Sequence, residues 1–259
     1  MGLTPEQETI ITATLCPPHD NTLLIEKYAI PITRKVISCF RPEKWLNDEV
    51  INFYMELLQE RDFLLCKVAS ERGCTRLPSH IFNLFFMSKL LENNIYAYQN
   101  VMRCGCYIMY SILVNIIYES YRWTKKINIF DFDKILFPVN IGNTHWTLVV
   151  AYMRSKRIQY LDSLRGNGKK YTSAVKRYII DEMKDKQNVV MSQDDVNAWV
   201  EAPMTPDGTP VQNNGYDCGV FVCMYADYIL ENHPFSFSQA NIPILRRKLC
   251  LCIIESSIL

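Results

Sequence analysis

The stretch "HWTLVVAYMRSKRIQYLDSL", His145 to Leu164, joins two kinds of β pattern through a short reversal. "HWTLVVAYM" is a continuous apolar run, as in a strand covered on both faces, whereas "RIQYLDSL" alternates and puts Ile158, Tyr160 and Asp162 on one face. Only "RSK" separates them, so an antiparallel hairpin is the simplest connection. Upstream, "WTKKINIFDFDKILFPVN" continues in short β-type runs. Helical patterns lie on either side of this β region. "RPEKWLNDEVINFYMELLQER" predicts a helix with Asn47 as N-cap, Asp48 and Glu49 in the first turn, and Leu46 stapled onto Ile51. Leu46, Val50, Phe53, Tyr54 and Leu57 give it one buried face, and Trp45, just outside the cap, is free to point elsewhere. Further helices are expected over "SHIFNLFFMSKLLEN" and "YTSAVKRYIIDEMKD". A Pro-, Gly- and Asn-rich loop from Pro203 to Asp217 leads into a last apolar helix with Phe221, Met224, Tyr225, Tyr228 and Ile229 on its inner face. Helices around a central sheet make the fold class α+β. Residues 1–22 read as a loosely held N-terminal extension, and 23–259 as the domain proper.

With 259 residues, 49% of them hydrophobic, the chain can build one large domain with a substantial core. A formal charge of +1 supplies no global attraction to nucleic acid or anionic membrane. Ten cysteines in a chain of this length fall short of a secreted disulfide scaffold, and "MGLTPEQETI" has neither the basic nor the apolar region of a secretory signal. Reduced thiols in the cytosol or nucleus are expected. The close cysteine pairs, Cys104/Cys106 and Cys250/Cys252, are C-x-C without a C-x2-C partner or nearby histidine, which argues against structural zinc. "CGCYIMYSILVNIIYESY" is apolar but too short and too interrupted to span a bilayer. "RRK" at 246–248 falls in a helical stretch and reads as a solvated face.

In the hairpin, His145 opens the first strand and Asp162 closes the second, so both lie at the same end of the sheet. A carboxylate beside an imidazole fixes its tautomer and stabilises the imidazolium, the base-and-orienter half of a nucleophilic triad. "QNNGYDCGVF", Gln212 to Phe221, places Cys218 where the loop becomes helix. There the unpaired N–H groups and the helix dipole favour an anionic sulfur, although Asp217, the expected N-cap, works partly against this. Gln212 can offer its side-chain N–H to an oxyanion beside the Cys218 backbone N–H. Taken singly, each has a plainer reading: a buried cysteine as a small hydrophobe, a histidine packed before a strand, an aspartate capping a turn. Together they fill the four roles of acyl transfer.

"WLNDEVINFYM", "RWTKKINIFDFDKILFPVN", "HWTLVV", "YLDSL" and "QNNGYDCGVFVCMYADYI", in this order and with matching separations, resemble the catalytic domain of the SUMO-specific cysteine proteases, the Ulp/sentrin-protease family. The similarity runs from about Leu23 to the C-terminus. It implies a papain-like cysteine proteinase fold, a central mixed sheet flanked by helices, with the triad in the order His, Asp, Cys. On that resemblance Cys218 is the nucleophile, His145 the base, Asp162 its orienter and Gln212 the oxyanion donor. Trp45 and Trp146 correspond to indoles that form lid and floor over a Gly-Gly tail, a slot that selects glycine by excluding side chains. Asp48 and Phe85 fall where the family contacts the folded body of the modifier. The implied reaction is hydrolysis after the C-terminal Gly-Gly of SUMO, in precursor maturation and isopeptide deconjugation, without metal or organic cofactor. The implied partners are SUMO precursors and SUMO-conjugated proteins, with no nucleic acid or membrane, and the implied enzyme is a monomer placed in the nucleus, at the nuclear envelope or in the cytoplasm. NEDD8 or another ubiquitin-like protein is an alternative substrate. The chain departs from the pattern over 102–121, an apolar insertion between "YAYQNV" and "RWTKK". It reads as an added helix, a partner site or translated intron sequence; if it blocks the cleft, the domain is an inactive binding module for a ubiquitin-like protein.

Overall fold

The computed structural model describes residues 2–102 and 127–258. Beyond Met102, the insertion expected over 102–121 lies outside the described residues. The first helix, α1 (Pro5–Leu15), starts at a capping box in which Thr4 and Gln7 each satisfy the other's backbone N–H. Ile11 is fully buried, and Arg247 Nε donates to Glu8 Oε2 at 2.7 Å. The loosely held segment expected here is therefore a docked helix; its apolar positions find a partner surface that local sequence does not reveal. A small hairpin follows, β1 (Leu23–Lys27) and β2 (Ile30–Thr33), closed by Tyr28 and Ala29 at φ 57°. A single turn, α2 (Arg34–Ile37), leads to the long α3 (Asp48–Glu71).

Asn47 caps α3, its Oδ1 accepting from Val50 N at 3.1 Å while its Nδ2 donates to Val36 O at 2.9 Å. Leu46 and Ile51 are both buried, as the staple requires. The helix runs past Arg61, because "LLCKVASE" is rich in good helix formers that extend an established helix cheaply. The helix expected over "SHIFNLFFMSKLLEN" is shorter than read. His80 and Ile81 form a strand, β3, and only α4 (Phe85–Leu90) is helical. Parallel pairing of His80 with Ile135 and of Ile81 with Leu136 overrides the local helical pattern. A turn of helix, α5 (Tyr98–Met102), ends this part.

The hairpin is as the sequence patterns predict, but in "WTKKINIFDFDKILFPVN" residues 123–126 lie outside the described residues, Ile129–Asp131 is a 3-10 turn started by Asn128, whose Oδ1 accepts from Phe130 N, and the strand begins only at Lys134. Strands β4 (Lys134–Ile141), β5 (His145–Tyr152) and β6 (Arg157–Leu161) form an antiparallel meander. Then come α6 (Lys169–Gln187), α7 (Gln193–Asn197) and the edge strand β7 (Val200–Ala202), parallel to β6. The order β3-β4-β5-β6-β7 is a mixed sheet. Alternation along the strands divides its side chains between two cores. Leu136, Trp146, Leu148, Val150 and Leu161 join α3, α8 (Cys218–Leu230) and α9 (Ile242–Glu255) on one face. Phe137, Val149, Ile158 and Tyr160 join α4 and α6 on the other. Helix α8 is buried all round from Cys218 to Ala226, beyond the single inner face expected. Each large side chain so buried stabilises the fold by roughly 1.5–3 kcal/mol.

Candidate active site

The register of the hairpin, Leu148 opposite Leu161 and Tyr152 opposite Arg157, carries the start of β5 beside the end of β6. His145 Nε2 meets Asp162 Oδ1 at 2.6 Å. The carboxylate is fixed from several directions. Leu164 N donates to Oδ1 (2.8 Å), Gly166 N to Oδ2 (2.9 Å), and Tyr160 OH lies 3.3 Å from Oδ2. Thr205 Oγ1 bonds both backbone groups of Asp162, accepting from N at 2.8 Å and donating to O at 3.1 Å. Gly166 stands so close that a Cβ there would sit 2.5 Å from Oδ2, which only glycine permits.

The electrostatics follow from these contacts. Burial by itself lowers the pKa of His145, but hydrogen bonds with Asp162 and Cys218, reinforced by their negative charges, raise it to about 9. Burial by itself raises Asp162; the bond and charge of His145, with the Leu164 and Gly166 N–H groups, hold it below the usual carboxylate range. With Nε2 committed to Asp162, Nδ1 is the nitrogen left for Cys218.

Cys218 is the first residue of α8 and is 2% exposed. Gly219 follows because α8 begins against the start of α3: a Cβ at 219 would lie 2.9 Å from Leu46 Cβ and 3.3 Å from Ile51 Cδ1. Asp217 holds the N-cap position, yet its side chain caps nothing. Its Oδ1 pairs with Arg246 at 2.8 Å, and its Oδ2 accepts from Asn214 Nδ2 (2.7 Å) and Gln239 Nε2 (2.9 Å). The acidic neighbour expected to oppose an anionic sulfur is thus matched by a buried guanidinium. Arg246 is 4% exposed, so "RRK" is not the solvated face expected. Its signal was its place on the apolar stripe of α9, four residues after Ile242 and three or four before Leu249 and Cys250.

Gln212 is buried, and its backbone N–H bonds Ser163 O at 3.0 Å. Its Oε1 accepts from Ser163 Oγ at 2.6 Å, and its Nε2 donates to Asn214 O. Trp146 lies buried in the same core as Cys218, while Trp45 stands 49% exposed next to Leu46, which abuts Gly219. Asp48 and Phe85 lie on two elements that a hydrogen bond joins. Asp48 begins α3, and Phe85 follows Leu84, whose N–H bonds Asn52 of α3 at 3.2 Å. Phe85 is 44% exposed. Among the described residues no group of His, Cys, Asp and Glu could hold a metal ion, and no helix is long and apolar enough to cross a membrane.

A mixed five-stranded sheet with a helix starting at a cysteine beside a His–Asp pair defines a class, that of the α+β cysteine proteases. The sequence pattern of the Ulp1 protease family, C-terminal catalytic domain, matches residues 44–257, and the chain belongs to that family. Human sentrin-specific protease 2 is 35% identical over 259 residues, covering 100% of this chain and 38% of the relative. Ubiquitin-like-specific protease 1A of Arabidopsis thaliana is 34% identical over 251 residues, covering 95% of this chain and 44% of the relative. The chain thus spans less than half the length of these curated relatives. The crystal structure of the C-terminal Ulp1 protease domain in complex with Smt3, the yeast ortholog of SUMO, superposes with a TM-score of 0.71 at 25% identity, covering 98% of this chain and 96% of that one. The catalytic domain of the Ulp1-like SUMO protease of Chaetomium thermophilum shares the fold with a TM-score of 0.73 at 19% identity, covering 99% and 91%.

Proposed function

We propose that this chain is a thiol protease that hydrolyses the bond after the C-terminal Gly-Gly of SUMO, in precursors and in isopeptide conjugates. The observation that carries the reading is the joined set Cys218, His145 and Asp162 in a chain of the Ulp1 protease family. Cys218 Sγ attacks the glycine carbonyl, and the oxyanion takes the Cys218 backbone N–H and the free Nε2–H of Gln212. His145, protonated and held by Asp162, gives its Nδ1 proton to the departing amine as the C–N bond breaks. A thioester remains. His145, now neutral, takes a proton from water as its oxygen attacks that carbonyl, and the C–S bond breaks to release the SUMO carboxylate. Trp45 and Trp146 bound the slot for the glycine tail, and Asp48 and Phe85 meet the body of the modifier. That relatives are sentrin-specific proteases, and that a similar domain is solved with Smt3, supports SUMO as substrate.

The test is cleavage of fluorogenic SUMO and NEDD8 conjugates side by side, with a SUMO vinyl sulfone probe. The expected result is turnover of SUMO and labelling of Cys218, both abolished in Cys218→Ser, which still binds SUMO. Preferential turnover of NEDD8 would transfer the reading to that modifier. SUMO binding without labelling would leave only a binding module. Domain limits of 1–22 for the extension and 23–259 for the protease belong to the same proposal, as does nuclear placement, which imaging of a fluorescent fusion checks.

A further inference from the structure

Gln212 is bracketed by one residue. Its backbone N–H ends on Ser163 O at 3.0 Å, and its side-chain oxygen takes the hydroxyl proton of the same Ser163 at 2.6 Å. Both residues are buried, Ser163 at 1% exposure and Gln212 at 7%. The two ends of a carboxamide are almost alike in shape, so partners decide which end faces where. Asn214 O accepts from Nε2 and would repel an oxygen in its place, while Ser163 holds the oxygen end. One Nε2–H is then left over, pointing outside both contacts. The Ser163 bond also draws charge toward Oε1, which makes the remaining N–H a better donor. Ser163 is moreover the residue directly after Asp162, the partner of His145.

We infer that Ser163 is a positioning residue for oxyanion stabilisation, holding the Gln212 carboxamide so that one N–H faces the reacting carbonyl. The kinetic part of this inference rests on the proteolytic reading above; the spectroscopic part does not. Without the hydroxyl, a buried amide oxygen has no donor, and the side chain turns to find one.

The test combines Ser163→Ala, Gln212→Ala and the double variant. Gln212→Ala is expected to lower kcat by about 10²–10³-fold, the usual effect of losing one oxyanion donor. Ser163→Ala is expected to lower kcat about tenfold or more with little change in KM, and to add nothing to Gln212→Ala, because both remove one device. The alkaline limb of the pH profile should stay in place, since the His145–Asp162 contact is untouched. Losses that multiply in the double variant, a shifted alkaline limb, or an unchanged kcat would overturn the proposal. Independently of turnover, the side-chain NH2 resonances of Gln212, identified by their absence in Gln212→Ala, should move and lose protection from exchange in Ser163→Ala. If they do not, the proposal fails even if the protein cleaves SUMO. If they do and SUMO is not cleaved, the proteolytic reading fails while the positioning stands. Should Ser163→Ala not fold, Ser163→Cys, which keeps only a weak donor, takes its place in every arm with smaller effects in the same direction.

Discussion

Asp162 receives four hydrogen bonds on two oxygens, from His145, Leu164, Gly166 and Tyr160, and this crowding makes it a fixed negative charge beside the imidazole. Together with Cys218, this hydrogen-bonded charge raises the pKa of His145 to about 9. Asp162→Asn removes it, so the imidazole should titrate nearer its ordinary 6.5. Imidazole NMR titration of the variant reads this directly, and the alkaline limb of kcat/KM should move down with it. Gly166→Ala tests the fixing itself. A methyl carbon 2.5 Å from Oδ2 must displace the carboxylate, and a shift of that kind should cost about 10²-fold in kcat. Stopped-flow turnover checks it. His145 and Asp162 could be paired from sequence because a short hairpin brings them together locally. Thr205, Ser163 and Arg246 could not: their contacts span 43, 49 and 29 residues, and nothing local marks their hydroxyl or guanidinium groups.

At the scale of elements, α8 owes its position to contacts at its first turn. Gly219 lets it abut the start of α3, and Arg246 of α9 pairs with Asp217 just before Cys218. Both partners of that pair are nearly excluded from water, with side chains 5% and 6% exposed. Arg246→Met should therefore leave an uncompensated buried carboxylate and lower stability by about 3–5 kcal/mol, measured by urea unfolding. Replacing both partners with apolar residues should recover much of that loss. The capped start of α3 was legible because Asn47, Asp48 and Glu49 declare it within four residues. The β3 strand was not: two residues acquire strand geometry only through β4, more than fifty residues on. The all-round burial of α8 likewise depends on which elements enclose it, α3 and α9 with the sheet, and periodicity is silent on that.

Across the whole molecule, the His145–Asp162 contact makes stability depend on pH in a definite direction. His145 is raised by folding, so its contribution is complete below its ordinary 6.5 and is lost as pH climbs through about 9. Asp162 is lowered, so its contribution is present above its ordinary 3.8 and is lost as pH falls through the depressed folded value. The pair supports the fold most between about pH 4 and 6.5. The stability gap between the native chain and His145→Ala should thus be widest near pH 6 and narrow by pH 10, a comparison that chemical denaturation at a series of pH values provides. The rest of the molecule is organised to keep this pair and Cys218 in register, with separate cores on the two faces of one sheet.

The described tryptophans differ sharply in their surroundings: Trp146 and Trp199 are 5% and 4% exposed, whereas Trp45 is 49% exposed. Their light emission should differ accordingly, red-shifted and open to iodide quenching at Trp45, blue-shifted and protected at the other two. On the proposed function, a glycine tail sliding beneath Trp45 would dry that indole. Occupancy of the slot can then be followed as a colour change in the protein's own fluorescence, without any dye attached to either partner.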